Sequence, residues 1–284
     1  MAMALSETPI REALVTAAGP WREVLCPGEI DSTNAASLAD PRPWRVLTSR
    51  HQTSGRGRHS RAWSSPPGAS VALSLTVPMA PDAGRWGWLP LVTGVAVVDA
   101  LGRVTGAPDR FALKWPNDVL ACDEGGRWGK LCGILCELAP ARRGPGADPL
   151  VVAGVGINVA LSREELPVPT ATSLTLAGFD RPGEGDLVVA VARAFADWHD
   201  AWYAGPADAV QAAYRSRCDT LGRDVEVHLP DSSTVRGRAV DIARGGELVV
   251  EVATANGGSE RREFASGDVI HVRPSGAPGP IGQE

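Results

Sequence analysis

The sequence predicts an α+β protein, a mixed β-sheet flanked by helices, with a small all-β barrel behind it. Two observations carry that expectation. Through residue 217, apolar runs of strand length are interspersed with longer segments at helical spacing. From Cys218 the texture changes to short β-rich runs at close spacing, joined by Asp-Ser-Ser, Gly-Gly and Asn-Gly-Gly turns. Residues 1–217 and 218–284 are therefore read as two units, with no internal repeat in either.

Taken in order, "DSTNAASLA" offers Asp31, Ser32 and Thr33 as helix N-caps before an alanine-rich turn. "WRVLTSR" and "SVALSLTV" read as strands, the second alternating apolar and polar at period two. "WLPLVTGVAVVDALGRV" has helical apolar spacing and ends in basic and glycine residues, so it predicts a core helix. Three β-rich runs follow, "RFALKWPNDVLA", "KLCGILCEL" and "LVVAGVGINVA". Asp186–Ala204 predicts an amphipathic helix and Ala207–Arg217 another. "GRDVEVHLP", "TVRGRAVDIA", "GELVVEVA" and "IHVRP" are the barrel strands, and the proline-rich last ten or so residues read as a disordered end.

Bulk properties exclude several classes. A formal charge of -5 over 284 residues argues against a DNA-coating protein. The start "MAMALSETPIREAL" has no apolar run of signal-peptide length, and no segment reads as long enough to cross a bilayer, so a cytoplasmic protein without membrane contact is expected. Five irregularly spaced cysteines suggest reduced thiols, with no ligand set for a metal around Cys132 and Cys136.

Four segments carry candidate chemistry. "TSGRGRHSRAW" sets three arginines and two glycines between strands, which fits a loop that closes on phosphate or carboxylate. No acid lies among them, so the loop is expected to repel itself and move when the site is empty. "KWPNDVL" puts a turn, an amide and a carboxylate after a strand, and "GKLCGIL" puts Lys130 at a strand start. "GVGINV" lacks the third glycine of a dinucleotide fingerprint, which excludes a Rossmann site.

In this order, with "DSTN" before them and "ATSL" after, these segments resemble the bacterial biotin protein ligases. The likeness spans nearly all of residues 28 to 275. Two departures are visible: Ser60 stands where family members often carry glycine, and the turn "CDEGGRW" before Lys130 is longer than usual. The resemblance implies a catalytic domain like that of class II aminoacyl-tRNA synthetases, with an SH3-like C-terminal barrel. It implies that biotin, ATP and Mg²⁺ are used to form biotinyl-5′-AMP, and that biotin then passes to a lysine of a biotin carboxyl carrier protein or domain.

By position it assigns Ser32, Thr33, Asn34 and Gln52 to the ureido head of biotin, with Arg56, Gly57, Arg58 and Trp63 closing over it. Lys130 and Arg58 are the implied catalytic residues, Lys130 touching both the biotin carboxylate and the α-phosphate. Asn117, Asp118, Gly156 and Asn158 fall on the nucleotide side, Asp118 also as a contact for Mg²⁺ or for the carrier lysine. A lipoate or octanoate ligase or transferase of the same superfamily is the enzymatic alternative. A nucleic-acid-binding regulator is the alternative of another class, disfavoured by net acidity and by the absence of a helix-turn-helix pattern before Asp31. No specific DNA partner is expected, and a weak homodimer is left open.

Overall fold

The computed structural model describes residues 3–140, 149–205, 208–229, 231–254, 256–265 and 267–271. Seven strands form the main sheet: β1 (Glu23–Leu25), β2 (Arg45–Ser49), β3 (Ser70–Pro78), β4 (Phe111–Lys114), β5 (Asp118–Cys122), β6 (Trp128–Leu138) and β7 (Leu150–Asn158). Their order is β1-β2-β3-β7-β6-β5-β4. The β1–β2 pair is parallel and the remaining neighbours are antiparallel. The sheet is mixed, as expected.

Its two faces do different work. On β3, Val71, Leu73, Leu75 and Val77 alternate with Ser70, Ala72, Ser74 and Thr76, yet all eight are buried. The large residues share a core with helices α3 (Leu89–Thr105) and α4 (Glu184–Ala204), while on the other face Ala72 and Ser74 meet the functional site. α1 (Glu7–Leu14) packs on α4 through Ile10 and Leu14. The opposite face holds the short helix α2 (Thr33–Ala39), capped by Ser32 Oγ accepting from Ala35 N at 3.3 Å.

Several expectations need correction. The run "RFALKWPNDVLA" is not one strand but a hairpin, β4 and β5, turning at Trp115-Pro116-Asn117. α1 and β1 were not anticipated; β1, three residues long, is too short to show a period. The span Ala83–Thr105 is long and apolar enough to cross a bilayer, contrary to the sequence reading. It is nevertheless mostly buried against sheet and helices, as a core helix is.

After α5 (Asp208–Arg217), five antiparallel strands form the second sheet: β8 (Asp224–His228), β9 (Thr234–Ile242), β10 (Leu248–Ala253), β11 (Ser259–Phe264) and β12 (Asp268–His271), in order β11-β10-β9-β8-β12. The unanticipated β11, "SERREF", is a charged edge strand and so lacks apolar alternation. The predicted helix start at Ala207, the end of "IHVRP" and the proline-rich end lie outside the described residues. This sheet is fastened to the body by two indoles, Trp88 Nε1 donating to Arg244 O at 2.8 Å and Trp115 Nε1 to Gly246 O at 3.0 Å. A Cβ on Gly87 would lie 2.2 Å from Gly245 O, so the two backbones meet there with no room for a side chain.

Candidate active site

A cavity of about 460 Å³ opens between the polar face of the sheet, the arginine loop, the β4–β5 turn and β12. Every residue singled out from the sequence lines it: Ser32, Thr33, Asn34, Gln52, Arg56, Gly57, Arg58, Trp63, Asn117, Asp118, Lys130, Gly156 and Asn158.

One end is a closed polar network. The N–H and Oγ1 of Thr33 both donate to Gln52 Oε1, at 2.8 and 3.1 Å. Asn34 Nδ2 donates to Leu135 O at 3.0 Å and to Glu137 Oε2 at 2.9 Å. Ser74 Oγ lies 2.8 Å from Thr33 Oγ1 and 2.6 Å from Asn34 Oδ1. The glycines of "GVGINV" make room for this arrangement. A Cβ on Gly154 would lie 2.2 Å from Asn34 Oδ1. Gly156 and its cross-strand partner Gly133 lie under the Trp63 indole, where added Cβ atoms would come within 2.6 and 2.9 Å of ring carbons. The close approach to Gly156 is thus by Trp63, whose Nε1 is buried without an acceptor among the described residues.

The arginine loop folds back on itself. Gly57 N donates to Arg61 O at 2.7 Å, Trp63 N to Gly55 O at 2.9 Å, and His59 takes the left-handed conformation at the tip (φ 53°). Arg56 Nη2 pairs with Glu137 Oε2 at 3.2 Å. Arg58 Nη1 donates to Asn117 Oδ1 at 3.2 Å and to Gly267 O at 3.4 Å. The expectation of a loop without acidic partners fails because the acid lies 81 residues away in sequence.

At the other end Lys130 Nζ lies 2.6 Å from Asp118 Oδ1, an ion pair whose carboxylate oxygen makes no hydrogen bond of good geometry. A bulge explains how Lys130 gets there. The β5–β6 register slips between Val119 and Leu120, so Val119 faces Cys132 while Leu120 faces Lys130. That slip turns Lys130 to the face that carries Gly133, three residues on. Asn117 is held by Nδ2 donating to Ile134 O at 2.8 Å, and Asn158 by Nδ2 donating to Thr172 O at 3.0 Å. Burial pushes the Cys132 thiol far up and that of Cys136 to about 12, so neither supplies a nucleophile.

The Biotin/lipoate A/B protein ligase family matches residues 29–158, and the Biotin protein ligase C terminal domain matches residues 220–272. The biotin--[acetyl-CoA-carboxylase] ligase of Mycobacterium tuberculosis is 37% identical over 277 residues, 95% of this chain and 96% of its own length. The chain belongs to the biotin protein ligase family. Its fold is that of the biotin protein ligase from Aquifex aeolicus in complex with biotin and ATP, with a TM-score of 0.70 and 26% identity over 89% of this chain and all of that one. The bifunctional ligase/repressor BirA of Escherichia coli is 36% identical over 150 residues, 52% of this chain and 44% of that protein.

Within this ligase the sequence reading missed several cavity residues. Lys114 and Arg61 stand inside motifs already quoted, and charge alone could have flagged them. Glu137, which does not line the cavity but bonds Asn34 and Arg56, was quoted only as part of an apolar strand. Ala171 opens the quoted "ATSL" segment but was given no role, and Val168 and Val269 reach the cavity through tertiary folding and left no local signal.

Proposed function

We propose that this chain is an ATP-dependent biotin–[acetyl-CoA-carboxylase] ligase working in two steps. In the first, a biotin carboxylate oxygen attacks the α-phosphorus of ATP. The bond to pyrophosphate breaks and biotinyl-5′-AMP forms. In the second, the amine of a carrier lysine attacks the acyl carbon, AMP departs, and the amine proton is lost to solvent. One observation supports this reading above others: a buried polar pocket and an ammonium–carboxylate pair share one cavity, closed by arginines.

Both reactants of the first step are anions, so the protein's main task is to hold them together and neutralise their repulsion. In this reading Ser32, Thr33, Asn34 and Gln52 bind the ureido head, and Trp63 covers the apolar body. Lys130 bridges carboxylate and α-phosphate, strengthening as charge redistributes in the transition state. Arg58, tied to Asn117, closes the loop over the reacting atoms and keeps water from the anhydride.

Asp118 is the one carboxylate among the cavity-lining residues, and no cluster of three or more His, Cys, Asp or Glu converges among the described residues. That donor set suits a Mg²⁺ held mainly by nucleotide phosphates, with Asp118 as its protein contact and charge neutralisation as its contribution. The carrier is the biotin domain of an acyl-CoA carboxylase. Residues 1–217 form the catalytic unit and residues 218–284 the C-terminal unit. Incubation with ATP, Mg²⁺ and radiolabelled biotin, with and without a carrier domain, tests the whole reading. Labelled adenylate without carrier and labelled carrier with it are expected; activation of lipoate in place of biotin overturns it.

A further inference from the structure

Glu137 lies near the end of β6, where two parts of the site meet at a single oxygen. Its Oε2 accepts from Asn34 Nδ2 at 2.9 Å and from Arg56 Nη2 at 3.2 Å. Asn34 is fixed from several sides: its amide lies over Gly154 on β7, its Oδ1 beside Ser74 on β3, and its second N–H on Leu135 O of β6. Both of its amide protons are therefore committed. Arg56 belongs to the arginine loop, which Arg58 also anchors, on Asn117 and Gly267 at the opposite end of the cavity.

We propose that Glu137 is a positioning residue that couples occupancy of the head pocket to closure of the arginine loop; this rests on the biotin-ligase reading. A charge-assisted bond between guanidinium and carboxylate is among the stronger contacts a half-exposed loop makes. It holds the loop down on the head end. A ureido oxygen that takes an N–H from Asn34 competes for the proton that Glu137 accepts. The carboxylate oxygen so released turns to Arg56 alone, and that bond strengthens. Filling the pocket floor thereby tightens the clamp above it, and by linkage a closed clamp favours the filled floor. Glu137 itself touches no reacting atom.

The test is Glu137→Gln, which keeps size and one carbonyl acceptor but removes the charge. Two measurements follow: hydrogen exchange across residues 55–63 in the ligand-free protein, and the kinetics of adenylate formation against biotin concentration. We expect faster exchange in the variant, and a KM for biotin raised about tenfold with a smaller change in kcat. Arg56→Gln should do the same, and the double variant should be no worse than the more affected single one. If Glu137→Gln does not fold, Arg56→Gln reads the same bond from its exposed partner. Unchanged exchange, or single effects that multiply in the double variant, overturns the proposal. A wild-type protein that activates no biotin would defeat the functional reading, while the exchange comparison would still decide the Glu137–Arg56 latch.

Discussion

At one end of the cavity Ser32, Thr33 and Asn34 are 3%, 3% and 5% exposed, Ser32 capping its helix and Thr33 and Asn34 bonded to Gln52 and to side chains of neighbouring strands. At the other end the Lys130 side chain keeps 33% of its surface, and the rim residues Val168 and Ile270 keep 46% and 54%. The contrast follows from what each end must do. A head pocket discriminates by leaving buried polar groups unpaired when the wrong molecule enters, so it profits from being dry and rigid. The reactive end must admit a nucleotide, release pyrophosphate and then receive a protein lysine, so it is framed by side chains from a turn, a bulged strand and the second sheet.

The largest way to break this comparison is Lys130→Ala. Removing the ammonium should lower adenylate formation by on the order of 10²–10³-fold with the melting temperature little changed. Near-normal adenylation would move the catalytic cation elsewhere in the cavity. The matching change at the closed end is Gly154→Ala. Its methyl would meet the Asn34 amide, which buried strand backbone cannot easily avoid. Overpacking of about 1–3 kcal/mol, taken up at the biotin site, corresponds to a KM for biotin raised roughly 5- to 150-fold. Calorimetric titration with biotin alone reads this without the nucleotide.

Candidate residues at both ends were named through the family resemblance, and what local pattern alone could mark was less, for a physical reason. Local propensity marks Ser32 and Thr33 only as helix caps; their place in the site, like that of Asn34 and Gln52, came from the resemblance. The glycines of "GVGINV" are explained by what sits on them, Asn34 and Trp63, and a one-dimensional reading cannot supply those partners. Lys130 reaches the cavity only because of a bulge, and strand periodicity counts such a residue to the wrong face. The partner of Arg56 was invisible because pairing across strands has no signature in local spacing.

A smaller effect is expected from Arg58→Gly, which cuts the loop from Asn117 and Gly267 while leaving the head pocket intact. Loss of one such contact should speed release of biotinyl-AMP about tenfold, read in a filter assay. The released anhydride acylates amines. Two of the 28 basic residues in the sequence are lysine, Lys114 and Lys130, and both line the cavity; arginine is no substitute nucleophile. Label should therefore appear on an added lysine-rich protein and hardly on the ligase. Equal labelling of the ligase surface would contradict this.

The smallest effect separates the two ends by pH. His271, on β12, has Nε2 3.2 Å from Thr220 Oγ1 and Nδ1 3.6 Å from Asp219 Oδ2. Burial first, and then the nearby charge of Lys114, hold its pKa down at about 4; Asp219 opposes this and Arg223 adds to it. The unfolded chain protonates this ring below about pH 6.5, whereas the folded protein does not until about 4. Between those values the unfolded state binds more protons, so stability is full above pH 6.5 and drains away as pH falls toward 4. At pH 5.5 the loss is about 1 kcal/mol, a few degrees of melting temperature. His199, buried in the helix core and shifted down by that burial, adds a slope of the same sign from the body. His271→Gln isolates the open end: it should flatten part of the acid slope and leave the His199 part in place. Because Trp88 and Trp115 bond to the β9–β10 turn, their fluorescence should report the loosening in the wild type and lose that response in the variant. An identical acid slope in wild type and His271→Gln would mean that β12 stays seated as the ring protonates, and that the open end is as firmly built as the closed one.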